Sequence, residues 1–242
     1  MIYIEKHPTE VIAYEQELQN NQLDMLSLSD SNVHPSMEGD DVYEQVRSFD
    51  EFGNLKQQLL KDQGGVCCYC GCRLPHPIGH PPYIVEHLIP KSSNRLLAGE
   101  YQNLLLSCRG GLDLYDKNSI TKISKKYRIE NTHCDNSKED KALNHTPLHK
   151  DCADYFSYHI DGKIEYKDLL AETDGKVLNL DCEYLNKRRE SAIEQFVFDE
   201  NYDILTDEEL ATICHELMGK SDKGIYHEFY YVIADAIKND LS

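Results

Sequence analysis

The sequence predicts an α+β fold in which a small strand–strand–helix core is embedded in a mainly α-helical chain. Two short apolar runs, residues 83–89 and 104–107, have the length and composition of strands, and Pro90 ends the first. A segment with helical character follows at residues 136–143. Cysteines stand before the first strand, after the second strand and before the helix, so metal-binding side chains bracket the whole core.

The segments upstream of this core are assigned from their periodicity and composition. Residues 1–20 predict a short strand and then a helix over 9–19 with Thr9 as its N-cap, and residues 49–61 predict an amphipathic helix. Between these helices, residues 21–47 are polar and acidic, which is typical of a mobile insertion. Three prolines make residues 76–82 a loop without regular hydrogen bonding.

The segments downstream of the core predict one hairpin and then helices. Asp161-Gly162 lies between two aromatic-rich runs within residues 155–166, which is a hairpin signal. Residues 183–198 predict a helix with one apolar face. Thr206 and Glu209 form a capping box for a helix that ends near residue 218, and a last helix is expected over 226–238.

Charge divides the 242-residue chain, whose net charge is −18, into three regions. Residues 1–66, a helical and acidic region, hold 13 acidic and 4 basic residues, a net of −9. Residues 172–242, a helical region, hold 17 acidic and 7 basic residues, a net of −10. Residues 67–171 hold the motifs, with 13 acidic and 14 basic residues, a net of +1. Any phosphate-binding surface is therefore expected in the centre.

A basic run without acidic residues lies inside this central region. It contains Lys117, Lys122, Lys125, Lys126 and Arg128. Two interpretations stand side by side: a solvated loop, or an insertion that binds phosphate next to the cysteine-bracketed core.

The chain has no feature of a secreted or membrane protein. No apolar run approaches the roughly 18 residues of a membrane span, and the first six residues lack the basic start and apolar stretch of a signal peptide. We therefore expect a cytoplasmic protein. In a reducing compartment, nine cysteines indicate metal ligands or buried thiols and not disulfides.

Four of these cysteines are candidate ligands of a structural zinc ion. Cys67 and Cys70 have the spacing of a zinc knuckle, and Cys108 and Cys134 would complete a four-sulfur site. The 25 residues between the members of the second pair leave alternatives open: Cys68, Cys72 or His133 could replace one of them. The other interpretation is a set of buried free thiols. Four protein ligands would leave no open position, so such a zinc would be structural.

Hydrolysis of a phosphodiester bond needs a base, a cation at the phosphate and stabilisation of the leaving oxygen. His87 suits the base because imidazole titrates near neutral pH. Glu86 is its neighbour, and neighbours on a strand point to opposite faces unless the strand is twisted or bulged.

The ordered series formed by these motifs resembles the HNH (ββα-metal) endonucleases. The series comprises Cys67 and Cys70, Glu86-His87, Asn103 with Cys108, and Cys134 with Asn136 and Lys138. The resemblance implies that Glu86 and Asn136 bind a catalytic cation, that His87 is the general base and that Asn103 supports the loop after the first strand. Two interpretations of Lys138 stand side by side: a contact to substrate phosphate, or an ordinary lysine on the surface of the helix. Oxygen ligands favour Mg²⁺ or Mn²⁺ at this second site.

Further segments resemble one HNH branch, the PtuB nucleases of bacterial Septu and retron-associated anti-phage systems. They are residues 1–6, 63–70, 85–92, 161–164 and 178–180. The resemblance implies an ATPase partner of the PtuA type and, in retron systems, a reverse transcriptase and its reverse-transcribed DNA. The substrate would be DNA or an RNA such as tRNA. The competing hypothesis is an inactive, zinc-stabilised interaction module of the same complex.

Overall fold

The centre of the computed structural model, which describes residues 1–27, 38–75, 83–111 and 124–241, is a two-stranded antiparallel sheet followed by a short helix. Strand β1 (Ile84–His87) pairs with β2 (Leu104–Ser107), so that Glu86 lies opposite Leu105 and His87 opposite Leu104. The three leucines of β2 are fully buried on both faces of the strand, which contributes about 1.5–3 kcal/mol for each side chain. Both strands confirm the sequence prediction.

The helix of this centre is much shorter than predicted. It spans Asp135–Lys138, and we call it α5. The residues on either side of it, Cys134 at φ 58° and Glu139 at φ 52°, adopt a left-handed backbone that an α-helix cannot contain. The prediction of a helix over residues 136–143 was therefore wrong in its length.

Three helices precede the central sheet: α1 (Ile12–Ser27), α2 (Gly39–Arg47) and α3 (Phe52–Asp62). Residues 1–7 form no strand, contrary to the prediction, and residues 8–10 form a 3₁₀ turn before α1 begins. Residues 39–47 were expected to be part of a mobile insertion, but they form α2, which buries Val42 and Val46. The loop predicted over 76–82 lies outside the described residues.

The elements after the central sheet largely confirm the predictions. The hairpin consists of β3 (Phe156–Tyr158) and β4 (Ile164–Tyr166), paired antiparallel. The helices are α4 (Lys125–Glu130), α6 (Leu169–Leu178), α7 (Glu183–Val197), α8 (Asp207–Leu217) and α9 (Tyr230–Asp240). The capping box of Thr206 and Glu209 opens α8 as expected. The last helix begins four residues later than predicted.

One continuous apolar core connects all three regions of the chain. Helix α9 packs against β3, α7 and α8 and buries Val232, Ile233 and Ala236 completely. Leu55 and Leu59 of α3 and the leucines of β2 belong to the same cluster. The central sheet, the N-terminal helices and the C-terminal helices thus share one core. Within the described part of the chain, no helix combines the length and apolar character needed to cross a membrane.

Candidate metal centre and catalytic cleft

The four cysteines expected to bind zinc meet in one buried cluster. The Sγ atoms of Cys67, Cys70 and Cys108 lie within 4.8 Å of one another, and those of Cys70, Cys108 and Cys134 do so too. The Sγ atoms of Cys67 and Cys134 are 3.9 Å apart, and those of Cys70 and Cys108 are 3.7 Å apart. Tetrahedral zinc with Zn–S bonds of about 2.3 Å requires sulfur–sulfur distances of about 3.8 Å. The cluster could therefore hold a metal such as zinc.

Local backbone geometry brings the sulfurs together. In the knuckle, the Cys67 amide donates to the Cys72 carbonyl at 2.8 Å, and the Gly71 amide donates to the Cys67 carbonyl at 3.1 Å. Gly71 has φ 81°, and a Cβ there would lie 2.8 Å from the Tyr231 ring, so only glycine fits. Cys108 follows β2 directly, and the Cys134 amide is anchored to α6 by donating to the Leu178 carbonyl at 2.8 Å.

The thiols of Cys67 and Cys70 have the electrostatics of metal ligands. Burial acts to raise the pKa of both thiols, but hydrogen bonds from Cys108 and Cys134 outweigh burial and hold each pKa well below its ordinary value. Zinc binds the thiolate, so these surroundings favour the ligating form.

Two of the three alternative ligands also reach the cluster. Cys72 lies within 4.8 Å of three of the sulfurs, and His133 joins Cys70, Cys108 and Cys134. The Nδ1 of His133 donates to the Asn131 carbonyl at 3.0 Å, which leaves Nε2 toward the thiols, as in many metal-ligating histidines. Cys68 belongs to neither of the ligand groups that the described residues form.

A cleft of about 690 Å³ opens next to the sulfur cluster. Its floor contains Glu86 and His87 from β1 and Asp135, Asn136 and Lys138 from α5. Another part of the lining, which we call the wall, comes from α2, α3 and the loop after β1, with Tyr43, Arg47, Phe52, Lys56 and Lys91. The acid, the imidazole and the side-chain amide that the sequence singled out therefore line one cavity, although Asn136 is far from Glu86 and His87 along the chain.

Glu86 is a buried carboxylate with three neighbours. Its Oε1 accepts from the Tyr69 hydroxyl at 2.9 Å and lies 2.7 Å from the Lys138 Nζ. Burial raises the pKa of Glu86 well above its usual range, and hydrogen-bond contact with Asp135 adds to the rise, while the Lys138 ammonium opposes it. Two carboxyl groups in contact need a shared proton or a cation. Glu86 and Asp135 together are therefore a candidate site for a hard divalent cation.

His87 is held in one orientation and one tautomer. Its Nε2 donates to the Ala98 carbonyl at 2.9 Å, and its ring stands edge-on to Tyr43 with the ring centres 4.6 Å apart. A carbonyl only accepts, so Nε2 carries the proton and Nδ1 of the neutral ring is an acceptor. Burial lowers the pKa of His87 to about 4, against a smaller opposing contribution from the Ala98 carbonyl. The ring is thus neutral at pH 7.

Asn103 is placed as a support of the loop that orients His87. Its Oδ1 accepts from the Ile89 amide at 2.8 Å, and its Nδ2 donates to the carbonyls of Ile89 and Leu97, each at 3.0 Å. These bonds clamp the loop between the strands just before Ala98, whose carbonyl holds the imidazole. Asn103 is buried and does not line the cleft.

Asp135 is the functional candidate that the sequence reasoning missed. That reasoning chose its neighbour Asn136, which also lines the cleft but is exposed and uses its Nδ2 to bond the Arg109 carbonyl. Contact with the buried Glu86 is made by Asp135. The available signal was a second carboxylate directly after Cys134, at the start of the predicted helix.

The cations that line the cleft differ from those predicted to bind phosphate. Lys117 and Lys122 lie outside the described residues. Lys125, Lys126 and Arg128 lie on α4 and do not line the cleft, and Lys126 pairs with Glu130 at 3.6 Å. Lys138 does line it, but its ammonium is buried against Glu86 and also donates to the His87 carbonyl at 2.9 Å. Arg47, Lys56 and Lys91 form the cationic wall.

No family model matches this chain, and no curated protein matches it either. The chemistry of the site therefore rests on its own residues. The open cleft beside the sulfur cluster is lined by four carboxyl groups, a neutral imidazole and several cations, which are groups that hydrolysis of a phosphate ester can use.

Proposed function

We propose that this chain is a metal-dependent endonuclease of the HNH type that hydrolyses phosphodiester bonds in nucleic acid. The observation that carries the proposal is the contact of two carboxyl groups, Glu86 and Asp135, in a cleft that also contains the fixed, neutral imidazole of His87. A paired-carboxylate site beside a neutral base is the arrangement expected for hydrolysis of a phosphodiester assisted by a divalent cation.

Glu86 and Asp135 would hold the catalytic Mg²⁺ or Mn²⁺, and the exposed amide of Asn136 could add an oxygen ligand from the same cleft. When bound, the cation supplies positive charge at the scissile phosphate and at the leaving oxygen. The cation would also replace the Lys138 ammonium as the main countercharge of Glu86.

His87 would accept the proton of the attacking water. The bond from its Nε2 to the Ala98 carbonyl fixes the tautomer, so Nδ1 is the basic nitrogen. A pKa of about 4 keeps Nδ1 unprotonated over the physiological range. Asn103 serves this step indirectly, because it clamps the loop that carries Ala98.

The sulfur cluster would hold a structural zinc ion through Cys67, Cys70, Cys108 and Cys134. Their spacings of 3.7 and 3.9 Å fit tetrahedral coordination, and the cluster is buried. Burial acts to lower the pKa of His133, but hydrogen bonds with neighbouring thiols raise it well above its ordinary value, so the protonated ring would donate through Nε2 to the thiolates.

The substrate would be held by Arg47, Lys56 and Lys91 on the wall of the cleft. Phosphate contacts do not depend on base identity, so both DNA and an RNA such as tRNA fit the proposal. The acidic flanks, with nets of −9 and −10, would repel nucleic acid from the free chain. A PtuA-like ATPase would provide basic surface and control. In a retron-associated system, a reverse transcriptase and its reverse-transcribed DNA would be further partners.

The test is the cleavage of plasmid, single-stranded DNA and tRNA with Mg²⁺ or Mn²⁺, with and without the ATPase. We expect His87→Ala to lose about 10²- to 10⁴-fold in cleavage rate while it keeps its zinc content and its melting temperature. His159→Ala is the matched control, because this partly exposed histidine pairs with Asp240 outside the cleft. Equal cleavage by wild type and His87→Ala would overturn the assignment of His87 as the base. Cleavage by neither would leave the interaction module as the better hypothesis.

A further inference from the structure

A buried hydrogen bond connects the sulfur cluster to the carboxylate site. Tyr69 stands between Cys67 and Cys70 in the knuckle and is completely buried. Its hydroxyl donates to Glu86 Oε1 at 2.9 Å. Tyr69, which lies in the knuckle, therefore contacts the Glu86 carboxylate that is proposed to bind the hard cation.

The knuckle fixes the position of Tyr69. Cys67 and Cys70, on either side of Tyr69, are candidate zinc ligands. The turn that contains them is closed by the bond from the Gly71 amide to the Cys67 carbonyl. From outside the knuckle, the Tyr231 hydroxyl donates to the Tyr69 carbonyl at 3.1 Å. Ligation of both sulfurs would therefore hold the backbone on each side of Tyr69.

A second connection runs through the other side of the cluster. Cys134 precedes Asp135 directly, and its left-handed φ of 58° turns the chain so that Asp135 contacts Glu86. Ser107 bridges the two sites, since its Oγ lies 3.7 Å from Cys67 Sγ and 3.4 Å from the Asp135 amide nitrogen. A strained residue such as Cys134 persists only where its surroundings hold it, and metal ligation of its sulfur would do so.

We propose that the sulfur cluster sets the geometry of the hard-cation site, with Tyr69 as the positioning residue. This inference rests on the proposed function, because it assigns Tyr69 a role toward the cation on Glu86 and Asp135. The Tyr69 hydroxyl and the Lys138 ammonium both contact Oε1 of Glu86. Both partners thus hold Glu86 through Oε1, and its Oε2 can bind the cation.

The role of Tyr69 is distinct from that of a ligand. A neutral hydroxyl donor orients a buried carboxylate without competing for its charge. Removal of such an outer hydrogen-bond partner typically weakens metal binding by about 10- to 100-fold. The knuckle would therefore be required for cation affinity as well as for folding.

The experiment compares Tyr69→Phe with Tyr231→Phe in the full chain purified with zinc. Each variant removes one buried hydroxyl from the same neighbourhood, but only Tyr69 contacts Glu86. Zinc content and melting temperature are measured first. Affinity for Mn²⁺ is then measured by titration with electron paramagnetic resonance detection, which does not depend on cleavage.

We expect both variants to retain one zinc per chain and to melt at similar temperatures, while Tyr69→Phe binds Mn²⁺ at least about tenfold more weakly than Tyr231→Phe. Wild-type Mn²⁺ affinity in Tyr69→Phe would overturn the role of Tyr69 and leave the nuclease proposal standing. Absence of Mn²⁺ binding by the wild type would instead overturn the hard-cation site and, with it, this inference.

Discussion

The sulfur cluster and the carboxylate cleft are built from the same short segments, but they differ in ligand type, in access to solvent and in charge. In the cluster, soft sulfur atoms lie 3.7–3.9 Å apart in complete burial. In the cleft, oxygen groups line an opening of about 690 Å³. A closed four-ligand site holds a structure together, whereas an open site has room for a substrate.

The difference in charge is as instructive as the difference in access. In the cluster, the neighbouring thiols hydrogen-bond one another, which favours the thiolate at Cys67 and Cys70. In the cleft, the buried Glu86 is balanced by the ammonium of a side chain, that of Lys138. One zinc ion would satisfy all the sulfur ligands of the cluster. In the cleft, a metal cation could replace the Lys138 ammonium beside Glu86.

Cys134→Ser should have the largest effect, because it removes a ligand from the closed site. We expect loss of the bound zinc and a fall in melting temperature of more than about 10 °C, since the binding energy of a structural zinc is also folding energy. Zinc content and thermal unfolding measure this. Cys214→Ser is the control: this partly exposed thiol on α8 contacts the Ala234 carbonyl outside the cluster. If Cys134→Ser kept its zinc and its stability, Cys134 would not be a ligand and the cluster would not be a closed four-sulfur site.

Lys138→Met tests the countercharge of the open site. Breaking a buried ion pair from one side costs about 3–5 kcal/mol, so the variant should be that much less stable in zinc-containing buffer without Mg²⁺ or Mn²⁺. Added Mn²⁺ should restore more stability to the variant than it gives the wild type, because the cation replaces the missing ammonium. Chemical denaturation with and without Mn²⁺ measures both effects.

The control for this variant is Lys176→Met, which removes an exposed lysine from an i,i+4 pair with Glu172. We expect almost no change in stability and no response to Mn²⁺ beyond that of the wild type. If Mn²⁺ stabilised Lys138→Met no more than the wild type, the ammonium and the metal would not share a site.

Asp135→Asn and Asn136→Ala sharpen the assignment of ligands in the open site. Loss of the Asp135 charge should weaken Mn²⁺ binding at least about tenfold, or about 1.4 kcal/mol, because hard cations depend on carboxylate charge. Asn136→Ala should change the affinity by no more than about threefold, since its amide is exposed and bonded to the Arg109 carbonyl. Calorimetric titration measures both, and the reverse order of losses would restore Asn136 as the main ligand.

The sequence predicted the central strands well because local signals determine them. The short apolar run Leu104–Ser107 forms β2, and the bounds of this strand were predicted correctly. Gly39–Arg47 was predicted as mobile because its acidic residues dominate its composition. Its helical signal, Val42 and Val46 one turn apart and both buried, is short.

The composition of the cleft could be predicted only in part. Motif spacing indicated Glu86 and His87, but the choice between two adjacent polar residues depends on the left-handed turn at Cys134, which a sequence pattern does not contain. The cationic wall was missed for a similar reason. Arg47 and Lys56 come from helices whose position at the cleft is a consequence of long-range packing in the shared core.

Lys56→Ala should have the smallest effect, because it removes one cation from the rim of the open site. Its Nζ lies 4.9 Å from the centre of the Phe52 ring and is free to approach a phosphate of bound nucleic acid. Affinity should fall by only a few fold, and the slope of log affinity against log salt should decrease by about one. Fluorescence anisotropy with labelled DNA, in a His87→Ala background that prevents cleavage, measures the slope.

Lys187→Ala is the matched control for the salt slope, since this exposed lysine on α7 pairs with Glu183 and does not line the cleft. It removes the same charge from the chain, so any general effect of net charge on the repulsion of nucleic acid should appear equally in both variants. A slope reduced only in Lys56→Ala would place a phosphate against the wall of α2 and α3. If the two variants had equal slopes, the substrate would not contact that wall. The cationic contacts would then have to come from elsewhere, such as a partner protein.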